Sequence, residues 1–259
     1  MVNLIKANFY KLFRMKSFYI CGALAIINAI LNILLLNAQF ASFGDISPAV
    51  FGYNGLRAGL YSLTSGVLFC TIFISLFIPQ DFSFGTIKNI IASGKDRISI
   101  YFSQWIMGLF VTLLYTLIPA ISAFILGNCL WGYGEVSRSD YLDALRTSSL
   151  VILAVFAVQT VFMMVGFLVR RSGATIAISW IAAIGIESFI IPMADHLVLK
   201  YLKVQNFSFM KYYAQSYINQ FLSLNLAKET LITGIIVCVA TILISSAIGI
   251  VSFIRRDVK

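Results

Sequence analysis

Six long apolar runs leave this chain little choice of solvent. A helix needs about 20 mostly apolar residues to cross a bilayer, and residues 18–37, 58–79, 101–124, 148–169, 175–195 and 231–254 each meet that length. Where water is absent the backbone must satisfy its own hydrogen bonds, and helices do so within one segment. The chain is therefore expected to be an all-α polytopic membrane protein, one transmembrane unit over residues 1–259 with no soluble domain. Composition agrees: 60% of the residues are hydrophobic and 11% charged, against roughly 25% charged in soluble domains. The third run continues to Trp131, so either Pro119 kinks it or its end lies along the outer surface.

The net charge of +9 points to a membrane surface rather than to nucleic acid, because the cations flank the apolar runs. With the N-terminus inside, twelve of the 19 lysines and arginines face the cytoplasm. They are Lys6, Lys11, Arg14 and Lys16 before the first span, Lys88, Lys95 and Arg97 after the second, Arg170 and Arg171 after the fourth, and Arg255, Arg256 and Lys259 after the last. Positive charge favours the cytoplasmic side, which predicts a plasma-membrane protein with both termini inside. The first run is longer than the apolar core of a signal peptide and reads as a retained anchor. Residues 1–17 form an expected interfacial helix, with Ile5, Phe9, Leu12 and Phe13 on one face and Lys6, Tyr10 and Arg14 on another.

Enzyme chemistry finds little to work with. The four cysteines lie far apart and read as small apolar filler. The single histidine, His196, stands at the edge of the fifth run; no HExxH or GxSxG pattern occurs. Gly94-Lys95 resembles the end of a phosphate-binding loop, but Asn89 replaces the required first glycine and Asp96 follows the lysine. The chain is thus expected to be no enzyme and to bind no metal or cofactor. Glu187, deep in the fifth run, is a candidate for the substrate pathway, since intramembrane carboxylates are costly; protonation or pairing with a neighbouring helix is the other reading. Gln104, Gln159, Asn28 and Asn32 are expected interhelical hydrogen-bonders, and Gly55-x-x-x-Gly59 and Ser245-x-x-x-Gly249 permit close helix approach. Residues 196–229 hold Tyr201, Phe207, Phe209, Tyr212, Tyr213, Tyr217 and Phe221, too apolar for a free loop. They are expected to form an outer-surface helix pair or a re-entrant hairpin.

Residues 85–97, "GTIKNIIASGKDR", stand between the second and third runs, on the expected cytoplasmic side. Gly85 frees the chain, Thr86 can cap a helix, and Gly94 suits a left-handed helix end. Ile87, Ile90 and Ile91 share one face at i, i+3 and i+4. That ridge either rests on lipid or plugs a groove on a soluble partner.

This stretch resembles a pattern of ABC type-2 permeases, the membrane subunits of ATP-driven exporters. In that family an acidic residue, more often Glu, follows the second span and precedes G-T-[IL]-[KR]-x-[LI]-[LI]-x-x-[GP]-x-x-R. Here Asp81 precedes Gly85, Thr86, Ile87, Lys88, Asn89, Ile90, Ile91, Ala92, Ser93, Gly94, Lys95, Asp96 and Arg97. The C-terminal "FIRRDVK" and the order of segments are also similar to the family. The resemblance implies that 85–97 is a coupling helix docked in a cleft of a separate cytoplasmic ATP-binding subunit, with ATP and Mg on that partner. It implies a pair of permease chains with the pathway between them, and an amphipathic peptide or drug as substrate. The residue-level readings that compete with it are a stand-alone secondary transporter using Glu187 as a proton site, and a membrane scaffold or sensor without transport.

Overall fold

The computed structural model describes residues 1–42, 55–132, 138–202, 208–222 and 228–255. Helix α1 (Val2–Arg14) turns at Met15 into α2 (Lys16–Ser42). The second crossing is divided into α3 (Gly55–Ser62) and α4 (Val67–Ser83), separated by a tight turn. Then follow α5 (Thr86–Ala92), α6 (Arg97–Trp131) and α7 (Arg138–Val169). The fifth crossing comprises α8 (Ser172–Trp180), a π-helical stretch (Ile181–Ile190) and α9 (Ile191–Leu202). A short 3-10 turn (Phe209–Tyr212), α10 (Ser216–Phe221) and α11 (Lys228–Arg255) complete the chain.

The protein is an all-α polytopic membrane protein. Five helical segments among the described residues are long and apolar enough to cross a bilayer. The pair Ser172–Ala183 and Ser188–Val198, bent by 42°, makes a sixth if it is one span. The six expected runs fall within these segments, but the helices extend past them: α6 has 35 residues, about 50 Å at 1.5 Å per residue.

Lipid gives helices no hydrophobic reason to associate, so close packing and interhelical hydrogen bonds must hold the bundle. α7 packs on α11, α3 on α6, and α4 between α7 and α8. Gly127 lies so close to α3 that an added Cβ would stand 2.7 Å from the Ala58 side chain. Polar side chains tie neighbours: Gln159 Nε2 donates to Thr71 Oγ1 at 3.1 Å, Ser75 to Ser179 at 2.9 Å, and Ser245 to Thr160 at 3.0 Å. Gln104, Gln159 and Asn28 bond across helices as expected; Asn32 instead donates to Asn28 O in its own helix. Gly55, Gly59, Ser245 and Gly249 all lie at close helix contacts.

Helix α6 passes unbroken through Pro119, and its end does not lie free on the surface. Trp131 is buried and donates from Nε1 to Asn37 Oδ1 of α2 at 2.9 Å. Proline has no N–H to give to the carbonyl four residues earlier, here Tyr115 O. Gly66, at the head of α4, occupies that gap: a Cβ there would overlap the Tyr115 carbonyl. The break in the second crossing and the proline of the third thus meet at one backbone oxygen.

The N-terminal helix meets the bundle through most of its expected apolar face, with Phe9 and Leu12 packed on the core, and adds Leu4 to it. Leu4 and Leu12 are buried, with Asn8 and Lys11 bonded to the bundle, whereas Phe13 is 48% exposed. Lys6, Tyr10 and Arg14 do face outward.

Gly66→Ala is expected to lower stability by about 1–3 kcal/mol through overpacking, read as thermal unfolding in detergent. Gly173→Ala, where a Cβ meets no atom within 4 Å, is expected to leave it unchanged or higher. Equal behaviour of the two variants would contradict the packing argument.

Candidate functional site

The strongest polar constellation lies where α1, α4 and α6 converge. Asp81, in the last turns of α4, is 3% exposed. Its Oδ1 accepts from Lys11 Nζ at 2.6 Å and its Oδ2 from Gln104 Nε2 at 2.9 Å. Lys11 Nζ also donates to Phe77 O at 3.3 Å and sits 4.1 Å from the centroid of the Phe77 ring. A buried carboxylate is tolerable only when paired and hydrogen-bonded, and three helices supply what it needs. A few ångströms along, Asn8 Nδ2 donates to Ser103 Oγ at 3.1 Å, a second polar tie between α1 and α6. Asp81, expected at a partner interface, therefore acts inside its own chain.

The loop between the second and third crossings builds outward from this cluster. Gly85 and Gly94 take left-handed backbone angles, φ 68° and 80°, where a side chain would strain the chain. Thr86 opens α5 but does not cap it: Gly85 is the capping residue and no side chain completes the cap. Ser93 and the Gly94 and Lys95 amides close the far end by donating to the Ile90 and Ile91 carbonyls.

Here the expected exposed isoleucine ridge is overturned. Ile87 is 0% exposed, and Ile90 and Ile91 pack half-buried on the same core cluster as Phe77, Tyr101 and Phe253. The ridge seats the helix on its own bundle because the nearest apolar surface is the one it already adjoins. Arg97 is likewise internal: its Nη1 donates to Phe253 O at 2.9 Å and Ile254 O at 2.8 Å, closing the carbonyl end of α11. α5 presents Thr86, Lys88, Asn89 and Ala92 outward, followed by exposed Ser93, Lys95 and Asp96, with Phe84 beside them at 73% exposure. Phe84 was not singled out by sequence reasoning; its signal is an aromatic ring set directly before a helix-opening glycine.

Nearby, Arg170 joins α7 to α8 with φ 58°, a rare conformation for a residue other than glycine. Its guanidinium lies 5.1 Å from the centroid of the Phe82 ring, so it braces the end of α4 that carries Asp81.

Glu187 falls in the π-helical stretch Ile181–Ile190, and its side chain lies outside the described residues. Wide turns leave carbonyls imperfectly paired. Two carbonyls of this stretch accept from residues 208–222: Tyr213 Oη donates to Ala182 O at 3.2 Å and Gln215 Nε2 to Ala183 O at 2.6 Å. Asp195 fixes the start of that segment, accepting from Ser208 Oγ at 2.7 Å and the Phe209 amide at 2.8 Å. Tyr217 and Phe221 of α10 are buried against α7 and fill the space above Gly234, and burial pushes the Tyr217 phenol pKa up. Of the segment 196–229, expected as an outer-surface helix pair or a re-entrant hairpin, the described residues 208–222 pack onto the bundle, while 196–202 continue α9. Phe207 and the C-terminal residues 256–259 lie outside the described residues. Among the described residues no group of three His, Cys, Asp or Glu could hold a metal, and all four cysteines are free.

Lys11→Met is expected to cost about 3 kcal/mol by leaving Asp81 buried and unpaired. Adding Asp81→Asn to that variant should recover more than half of the loss, measured as thermal unfolding of the native chain, Lys11→Met, Asp81→Asn and the double variant in one detergent. Additive losses would show that the pair is not coupled.

Comparison of the chain with curated proteins gives no match. A family profile does match, over residues 25–259, from within α2 to the C-terminus. The chain accordingly belongs to the family described as protein of unknown function (DUF2705).

Proposed function

We propose that this chain is the permease subunit of an ATP-driven exporter of the ABC type-2 kind, working in the plasma membrane with both termini cytoplasmic. The observation that carries the reading is the mounting of α5. The helix is seated on the bundle through Ile87, bounded by two left-handed glycines, and turns Phe84, Lys88, Asn89 and Lys95 outward. A short helix held rigidly from behind and offering an aromatic anchor with cations in front is suited to receive force from a soluble partner.

In this reading a separate ATP-binding subunit, carrying ATP and Mg, pushes on α5. Asp81 lies one turn behind Phe84 and ties α4 to α1 and α6, so the push moves three helices together. Two permease chains, identical or related, enclose the pathway. The substrate is an amphipathic peptide or drug, by the resemblance to small self-protection permeases. The docking surface is revised from the isoleucine ridge to Phe84 and its polar neighbours.

A second reading draws on a specific observation. Discontinuous spans mark binding sites in secondary transporters, and both the second crossing, at 63–66, and the fifth, at Ile181–Ile190, depart from regular helix. In that reading the chain works alone and Glu187 carries a proton.

Two experiments separate them. Phe84→Asp combined with Lys88→Glu is expected to reduce co-purification of an ATP-binding subunit at least about tenfold, the loss of a hot-spot contact, with unfolding temperature unchanged. Ile87→Asp is expected to lower the unfolding temperature instead. Retention of the ATPase by the Phe84 and Lys88 variant would overturn the docking surface. Purified chain in liposomes is expected to give no proton-driven flux; flux abolished by Glu187→Gln would favour the second reading.

A further inference from the structure

A cavity of about 400 Å³ lies beside the break in the second crossing, at the end of the bundle opposite Asp81. Asn32, Tyr61, Ser62, Thr64, Ser65 and Trp131 line it together with aliphatic side chains of α2. Asn32 stands ten residues before the end of α2, about 15 Å along the helix, so the cavity lies at membrane depth.

At that depth non-helical backbone is tolerated only inside protein or beside a polar cavity. The turn at 63–66 meets that condition in two ways. On one side Asn28 Nδ2 donates to Ser65 O at 3.4 Å and Gln159 Nε2 to Val67 O at 3.4 Å. On the other side lies the cavity. Thr64 Oγ1 donates to Tyr61 O at 3.1 Å, and Asn32 Nδ2 to Asn28 O at 2.8 Å. Ser62 and Ser65 are 4% and 9% exposed, and neither hydroxyl has a hydrogen-bond partner among the described residues. Both hydroxyls open onto the cavity, where they can donate to and accept from a ligand or water.

We infer that this cavity is a binding site for an uncharged amphipathic molecule. Its apolar body lies against Trp131 and α2, and its hydroxyl or amide group bonds Asn32, Ser62 and Ser65. The charge class follows from the wall: no Asp, Glu, Lys or Arg lines the cavity, and an ion at membrane depth without a counter-charge is strongly disfavoured. The polar class follows from the hydroxyl and amide cluster, which an alkane would leave unpaired. The site does not depend on how the chain is energised, so it stands or falls separately from the exporter reading.

The test uses the full chain in phosphatidylcholine nanodiscs, with Trp105→Phe and Trp180→Phe leaving Trp131 as the sole tryptophan. Its fluorescence is titrated with three nitroxides that share one ring: 4-hydroxy-TEMPO, the cationic 4-trimethylammonium analogue and the anionic 4-carboxy analogue. The expected result is saturable quenching by the hydroxyl probe alone. Asn32→Ala with Ser65→Ala should raise its half-saturation about thirtyfold, the loss of two ordinary hydrogen bonds. A protein retaining only Trp180 reports collisional, linear quenching by all three. Linear quenching of Trp131 by the hydroxyl probe would overturn the site. So would saturation shared equally by the charged probes, or saturation untouched by the double variant.

Discussion

A carboxylate without water must be surrounded, and the inner architecture of this protein follows from how Asp81 is surrounded. The ammonium comes from α1, the amide from α6, and the carboxylate itself from α4. Sequence separations of 70 and 23 residues are closed by one group that cannot be left alone. Because removing either partner strands a charge in a medium of low polarity, this contact constrains α1 more firmly than its apolar face does. Lys11 reaches Asp81 from the side of the helix that also carries Leu4, Asn8 and Leu12 to the bundle.

The same scarcity of water governs the irregular backbone. Two departures from regular helix are met by donors from elsewhere. Asn28 and Gln159 serve the break in the second crossing, and Tyr213 and Gln215 serve the wide turns of the fifth. At Pro119 the compensation is steric rather than polar, since Gly66 lets α4 approach the carbonyl that proline leaves without an N–H. The polar residues inside the bundle are thus largely structural repairs, and the helix breaks they repair are the places where the bundle is least uniform.

Much of this was legible in the sequence. Spans are read from length and apolarity, which are local properties, and all six runs lie within crossing segments. The glycines bounding α5 were legible because left-handed backbone selects glycine, and both Gly85 and Gly94 adopt it. Which face of α5 looks inward was not legible: periodicity shows that Ile87, Ile90 and Ile91 share a face, not what the face meets. Lys11 was hidden for a related reason, since a cation before a span is ordinarily a flank and its acid lies far along the chain. The break at 63–66 contains no proline, and the carbonyl of another helix that it meets at Gly66 has no local signature. Phe84 was overlooked because an exposed aromatic is conspicuous only once its neighbours are known to be buried.

The two ends of the bundle differ in how they would respond to force. At the α5 end, Arg97 caps α11, Lys11 and Gln104 hold Asp81, and Ile87 fills the core. These contacts link α1, α4, α5, α6 and α11 into one block, so a load on Phe84 would move that end without deforming it. At the other end lie the divided second crossing, the wide turns of the fifth and a cavity onto which the Ser62 and Ser65 hydroxyls open. There continuity depends on single side-chain bonds to carbonyls, each worth about 1 kcal/mol net and exchangeable for a bond to water or ligand. A block tied together at the α5 end, bearing on the repaired opposite half, concentrates any displacement where the helices are already broken. That is the mechanical arrangement the proposed exporter needs, with stiffness at the point of contact and compliance beside the cavity.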